Sequence, residues 1–87
     1  VIQAAFNALT AARNTLKEGE RIVQILSLTV YLNASPDYTT HAKVGDIASN
    51  WLYEQLGEAG VGPRAAIGVA TLPGNAPVEI QLVAAAG

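Results

Sequence analysis

The run Arg21–Asn33, RIVQILSLTVYLN, does most to limit the folds open to this chain. Its β-branched and other apolar residues argue for one long strand over 21–33. Regular alternation puts Ile22, Leu26, Leu28, Val30 and Leu32 on one side. Arg21, Val23, Ile25, Ser27, Thr29, Tyr31 and Asn33 take the other, which mixes polar and apolar groups. The first side suits a helix layer, and the flanking sequence supplies one. Ile2, Ala5, Phe6, Leu9 and Leu16 recur at helical spacings, which predicts a helix over 2–18 that Gly19 stops. After the strand, NASPD offers Ser35 as a cap and Pro36 in a first turn, and Val44, Ile47, Ala48, Trp51, Leu52 and Leu56 continue as an apolar stripe. These predict a helix over 36–57, ended by Gly57, Gly60 and Gly62. Strands are expected at 64–72 and 78–85, joined by the turn-rich PGNAP.

Strand, helix and strand in that order favour a parallel pair with a right-handed crossover, to which a terminal hairpin adds an antiparallel strand. The expected fold is α+β: a single domain over 1–87 with a mixed sheet and both helices on one face. Three strands are few for two helices of this length, and the chain begins at Val1. We therefore expect part of a larger domain with N-terminal strands missing.

Composition narrows the function. Hydrophobic residues make up 51% of the chain and charged ones 14%, rich in apolar surface for an 87-residue domain that buries only about 60–65% of its unfolded area. Some of that surface is expected to meet another chain. Arg13, Lys17, Arg21, Lys43 and Arg64 are scattered and the net charge is -2, so no basic stripe invites nucleic acid. Cysteine is absent, which removes disulfides, thiolate metal sites and a thiol nucleophile. No segment approaches the ~20 apolar residues of a membrane span, and the N-terminus does not resemble a signal peptide. A soluble, cytoplasmic protein without membrane or nucleic-acid partners is the expectation.

Two charges stand out in GPRAAIGVATLPGNAPVEIQL: Arg64 at one end and Glu79 near the other. If Leu72 pairs with Pro77 across the turn, Glu79 lies opposite Ala70. One face of the hairpin then carries Arg64, Ala66, Gly68, Ala70, Glu79, Gln81 and Val83, and the other Ile67, Val69, Val78, Ile80 and Leu82. In that register the arginine and glutamate are roughly 20 Å apart, too far to share a small substrate within one chain. A symmetric oligomer is the simple way to bring them together.

The run PRAAIGVATLPGNAPVEI resembles the C-terminal signature of the RidA family, also called YjgF or L-PSP endoribonuclease-like. LSLTVYLNASPDYT and LYEQLGEAG are similar to the family's strand with its following helix start and to the close of its second helix. The resemblance covers essentially the whole chain, matched to the C-terminal two thirds of a family domain. It implies a chorismate-mutase-like fold, a homotrimer with pockets between subunits, and cofactor-free, metal-free hydrolysis of 2-imino or enamine acids to 2-keto acids and ammonia. Arg64 matches the arginine that binds the substrate carboxylate, and Glu79 the glutamate that positions water. Two pocket-lining candidates depart from the deaminase pattern: Ala66 stands where many members have cysteine, and Asp46 where many have asparagine. A carboxylate there disfavours an anionic substrate unless it is protonated or paired with Arg64. These departures keep open a non-catalytic trimer that binds small carboxylates or regulates. An endoribonuclease or translation inhibitor, the activity in the family's older name, runs against the charge balance.

Blander readings account for other features. His41, the sole histidine, has no second ligand near it in sequence and reads as a solvated helix residue. GVGPRA imitates a dinucleotide fingerprint but precedes a strand instead of following one. Asn33-Ala34-Ser35 forms a glycosylation-like triplet, which helix capping explains better.

Overall fold

A computed structural model describes all residues, 1–87. The chain is α+β: α1 (Ile2–Arg13), β1 (Ile22–Asn33), α2 (His41–Leu56), a 3₁₀ turn (Gly57–Gly60), β2 (Arg64–Val69), a second 3₁₀ turn (Pro73–Asn75) and β3 (Val78–Ala86). The three strands form one mixed sheet in the order β2-β1-β3. β1 pairs parallel with β2 and antiparallel with β3.

This order corrects the expected hairpin. β2 and β3 never touch as partners, and both pair with β1 instead. The physical reason lies in β1, whose Ile22, Ile25, Leu28, Val30 and Leu32 are buried, while β2 and β3 carry no fully buried side chain. The most apolar strand gains most from the centre, where both its edges are hydrogen-bonded and its core face is covered. The connection must then pass over the end of β1. Left-handed Gly74 (φ 64°) and Asn75 (φ 55°) turn it. The Asn33 amide nitrogen donates to the Asn75 side chain and to the Ala76 carbonyl, both at 3.3 Å, and fastens the crossing.

Directly paired residues share a face. One face carries the rows Arg64–Leu28–Leu82, Ala66–Val30–Ile80 and Gly68–Leu32–Val78; the other carries Ala65–Thr29–Gln81 and Ile67–Tyr31–Glu79. The first is the core face, where Ala5 and Leu9 of α1 and Ala48 and Leu52 of α2 pack on Leu28, Val30 and Leu32. α1 lies over β3 and α2 over β2.

β1 does not alternate regularly. Six steps along it, Ile22 to Leu28, match only four along β3, Ala86 to Leu82, with shifts at Ile22/Gln24 and Ile25/Ser27. Each extra residue reverses the side-chain parity. Ile25, expected outside, is therefore 1% exposed, and Leu26, expected inside, is 50% exposed.

Helix bounds differ as well. α1 ends at Arg13 instead of 18, and α2 begins at His41 instead of 36. Ser35 spends its hydroxyl on the Asp37 carboxylate (2.7 Å), and Tyr38 N–H closes a turn onto the Ser35 carbonyl. That Ser35 hydroxyl, followed by the backbone amide of Asp37 itself, lowers the carboxyl below its ordinary pKa. The expected cap is thus an acidic turn ahead of the helix. Phe6, assigned to the buried stripe, is 52% exposed and meets Trp51 edge to face across the helix pair. No helix is long and apolar enough to cross a membrane.

Candidate functional site

Arg64 opens β2, and three features of the chain place it. Pro63 accepts a hydrogen bond from Leu28 N–H (2.9 Å), which fixes the start of β2 against β1. The paired row Arg64–Leu28 then turns the side chain to the core face, under α2. Gly45 makes room there: a Cβ at that position would lie 3.1 Å from Arg64 Cζ and Nε and 3.2 Å from Ala66 Cβ. A buried glycine inside a helix costs about 1 kcal/mol relative to alanine in intrinsic propensity. Here it admits a guanidinium onto the helix surface.

The guanidinium is held at one nitrogen. Nη1 donates to Asp46 Oδ1 at 2.6 Å and to Ser49 Oγ at 3.3 Å, while Nη2 and Nε have no hydrogen-bond partner in the chain. The arginine side chain is 22% exposed and Asp46 is 63% exposed, so the pair sits at the rim of the helix–sheet seam. An exposed carboxylate partner adds at most about 1 kcal/mol to stability. Asp46 offsets part of the positive charge and fixes one arm of the fork. The other two nitrogens retain the geometry that grips a carboxylate.

Glu79 is elsewhere. It pairs with Tyr31 on the face away from the helices, beside Gln81, whose side-chain oxygen accepts from the Tyr31 hydroxyl at 3.2 Å. The shared face expected for Arg64 and Glu79 is therefore corrected: they project from opposite faces. Three residues of rise and two strand spacings put their Cα positions about 14 Å apart. Ala66 and Asp46, by contrast, lie on the same seam as Arg64, Ala66 touching the space above Gly45 and Asp46 paired with the guanidinium.

The seam holds residues that the sequence reading did not select. His41, Gly45 and Ser49 recur every four residues along α2, facing Gly68, Ala66 and Arg64, which recur every two along β2. A helix period meeting a strand period was the available signal. Beyond Ala66 the seam widens into a cleft of about 810 Å³, whose lining includes Asn33, Ser35, Tyr38, His41, Ala66 and Gly68. Nowhere do three or more His, Cys, Asp or Glu side chains gather in a way that could hold a metal ion.

Gly45→Ala separates the site from the fold. The methyl would press on the guanidinium and on Ala66 Cβ by a few tenths of an ångström while gaining helix propensity, so stability should stay within about 1 kcal/mol of the parent. Any carboxylate held by the displaced fork should then bind about tenfold more weakly, which calorimetric titration beside a thermal melt would check.

No protein-family model matches the sequence. Over 78 residues the chain is 32% identical to Protein TCP17 of Trypanosoma cruzi, covering 88% of this chain and 49% of that protein. A crystal structure of a protein of unknown function from Agrobacterium tumefaciens superposes with a TM-score of 0.81 at 34% identity, covering 93% of this chain and 52% of that one. A candidate endoribonuclease from Shewanella oneidensis superposes with a TM-score of 0.69 at 36% identity, covering 74% of this chain and 42% of that one. The chain spans about half the length of the proteins it matches. Both structural likenesses are consistent with a RidA/YjgF-like fold.

Proposed function

We propose that the chain is the C-terminal portion of a RidA/YjgF-like domain that assembles as a homotrimer and hydrolyses reactive 2-imino acids, without cofactor, to 2-keto acids and ammonia. The observation that carries this reading is the Arg64 guanidinium, fixed at Nη1 with Nη2 and Nε left for a ligand. Those two N–H groups would take the substrate carboxylate and fix the imine carbon in place. Glu79 of a neighbouring copy would accept a proton from water as the water oxygen bonds to that carbon. Starting from the protonated imine, Glu79 returns that proton to the nitrogen of the resulting carbinolamine, the carbon–nitrogen bond breaks, and ammonia leaves as the hydroxyl proton passes through Glu79 to solvent and the 2-keto acid forms. Protons balance and no oxidant or reductant is needed. Positioning and charge carry the rate, within the range general base catalysis supplies.

The opposite faces of Arg64 and Glu79 support a site shared between copies, because one chain alone cannot close it around a three- or four-carbon acid. The Arg64–Asp46 contact favours a second reading. A guanidinium already partly neutralised suits reversible holding of carboxylates, and such a protein would bind 2-keto acids without turnover. RNA cleavage is a property named for the Shewanella neighbour, and five scattered cations with a net charge of -2 give this chain little to hold a phosphate backbone.

The test is ammonia and 2-keto acid release from 2-iminopropanoate generated in situ by an amino-acid oxidase, with single-stranded RNA offered in parallel. We expect release well above the buffer rate and no RNA cleavage. Binding of pyruvate without acceleration would transfer the assignment to the holding role.

A further inference from the structure

Asp46 changes what the Arg64 guanidinium can hold as well as where it sits. Its Oδ1 accepts from Nη1 at 2.6 Å, and the two residues form the one ion pair in the chain. The guanidinium therefore meets a ligand as half of a pair that carries no net charge. Asp46 makes no other side-chain hydrogen bond, and Lys43, one turn earlier on α2, is exposed and does not pair with it. Its charge is thus opposed by Arg64 alone. A ligand carboxylate on the free nitrogens of the same guanidinium, at about 2.8 Å, would lie roughly 6 Å from the Asp46 carboxylate. At that range a unit charge alters affinity several-fold even in a mostly aqueous setting. Where two copies complete the site, Glu79 of the neighbouring copy brings a second carboxylate toward the same ligand.

We infer that Asp46 is a specificity-determining residue of the Arg64 site: its charge shifts binding toward zwitterions, 2-imino acids protonated on nitrogen and 2-amino acids, and away from anionic 2-keto and 2-hydroxy acids of the same size. This inference rests on the reading of Arg64 as the carboxylate holder. An arginine alone attracts the carboxylate and repels a cationic nitrogen one carbon away, so it prefers the anion. Asp46 opposes both effects, repelling the carboxylate and attracting the nitrogen. A monoanion leaves the pair with a negative charge in excess, whereas a zwitterion leaves it neutral. For hydrolysis this means that the substrate enters as the electrophilic protonated imine. The 2-keto acid, formed without that positive charge, is held less well and leaves.

L-Alanine and L-lactate have nearly the same shape and differ in this charge, and pyruvate shares the charge of lactate. Calorimetric binding of the three would be measured on the protein, Asp46→Asn, Ser49→Ala and Arg64→Ala. Asp46→Asn keeps an oxygen for Nη1 and removes the charge, while Ser49→Ala removes the other Nη1 contact and keeps the charge. In Asp46→Asn, lactate and pyruvate should bind about fivefold more tightly. Alanine should stay within about twofold, because its carboxylate gains what its ammonium loses. The alanine-to-lactate affinity ratio should therefore fall about fivefold. Ser49→Ala should leave that ratio at the parent value, and Arg64→Ala should lose all three ligands. A ratio that Asp46→Asn does not change, or that Ser49→Ala changes as much, overturns the role of the Asp46 charge and leaves Arg64 intact. Failure of all three ligands to bind the parent removes the Arg64 reading, and this inference with it.

Discussion

Arg64→Ala should lower kcat/KM for imine hydrolysis roughly a thousandfold, the loss of two charge-assisted hydrogen bonds at about 2 kcal/mol each. Arg64→Lys should recover only part of this, because an ammonium keeps the charge but not the paired N–H groups that match a carboxylate. The fold should hardly notice either change. Arg64 gives up two hydrogen bonds, to an Asp46 that is 63% exposed and to Ser49 at 3.3 Å, so the melting temperature should move by only a few degrees. Imine hydrolysis and a thermal melt on the same samples check both halves. A large loss of stability with activity per folded molecule unchanged would make Arg64 a structural residue.

The second large effect concerns how Arg64 is brought to its place. The connection from α2 to β2 lies on the irregular part of β1. Gln24 reaches out from between the two shifts and donates to the Val61 carbonyl at 2.5 Å, and a Cβ on Gly62 would strike the Ile25 carbonyl oxygen and lie 3.3 Å from its carbon. The obstacle is β1 backbone, which cannot swing aside as a side chain end can. Gly62→Ala should therefore cost about 3 kcal/mol and lower the melting temperature by roughly 15 °C, while Gly68→Ala, whose methyl meets only His41, should leave it near the parent value. Differential scanning calorimetry of the two variants decides this; equal melting temperatures would show that the connection is not pinned as described. What survives of Gly62→Ala should also bind carboxylates poorly, because the start of β2 sets the guanidinium.

The order of helices and strands was legible because each segment carries its own period: threes and fours around Ala5 and Leu9, a dense β-branched run from Ile22, then Ala48 and Leu52 on a second stripe. Pairing partners were not. PGNAP looks like a hairpin turn at short range, and nothing within it records that β1 is the better neighbour for both flanking strands. That choice depends on which strand has the most apolar surface to cover, a comparison across the whole sheet. The irregularities of β1 were invisible for a related reason. Alternation counts assume one residue per pleat, and an extra residue near Val23 and another near Leu26 each reverse the parity while leaving composition unchanged. Ser35 and Pro36 form a good local start signal for a helix, but Asp37 captures the hydroxyl first.

Arg64 and Glu79 drew attention as isolated charges in an apolar stretch and through the resemblance to the RidA signature. Their separation onto opposite faces was not legible, because it follows from the sheet order. Gly45 and Gly68 carry no chemistry of their own and acquire meaning only when the seam brings Arg64 over one and His41 over the other. A glycine inside a predicted helix, four residues after a histidine and four before a serine, was the trace they left in the sequence.

We propose that Arg64 of one copy and Glu79 of another complete a single site. Mixing two inactive variants tests it most directly: Arg64→Ala and Glu79→Gln are prepared separately, each assayed alone for 2-iminopropanoate hydrolysis, then combined under conditions that let subunits exchange. A mixed assembly would contain interfaces with an intact arginine from one variant and an intact glutamate from the other. Activity should return on mixing, to roughly a quarter of the parent rate if exchange is random and each site draws one residue from each of two copies. Absence of activity from fully exchanged mixtures would contradict it and place both residues' roles, if they have them, within one chain.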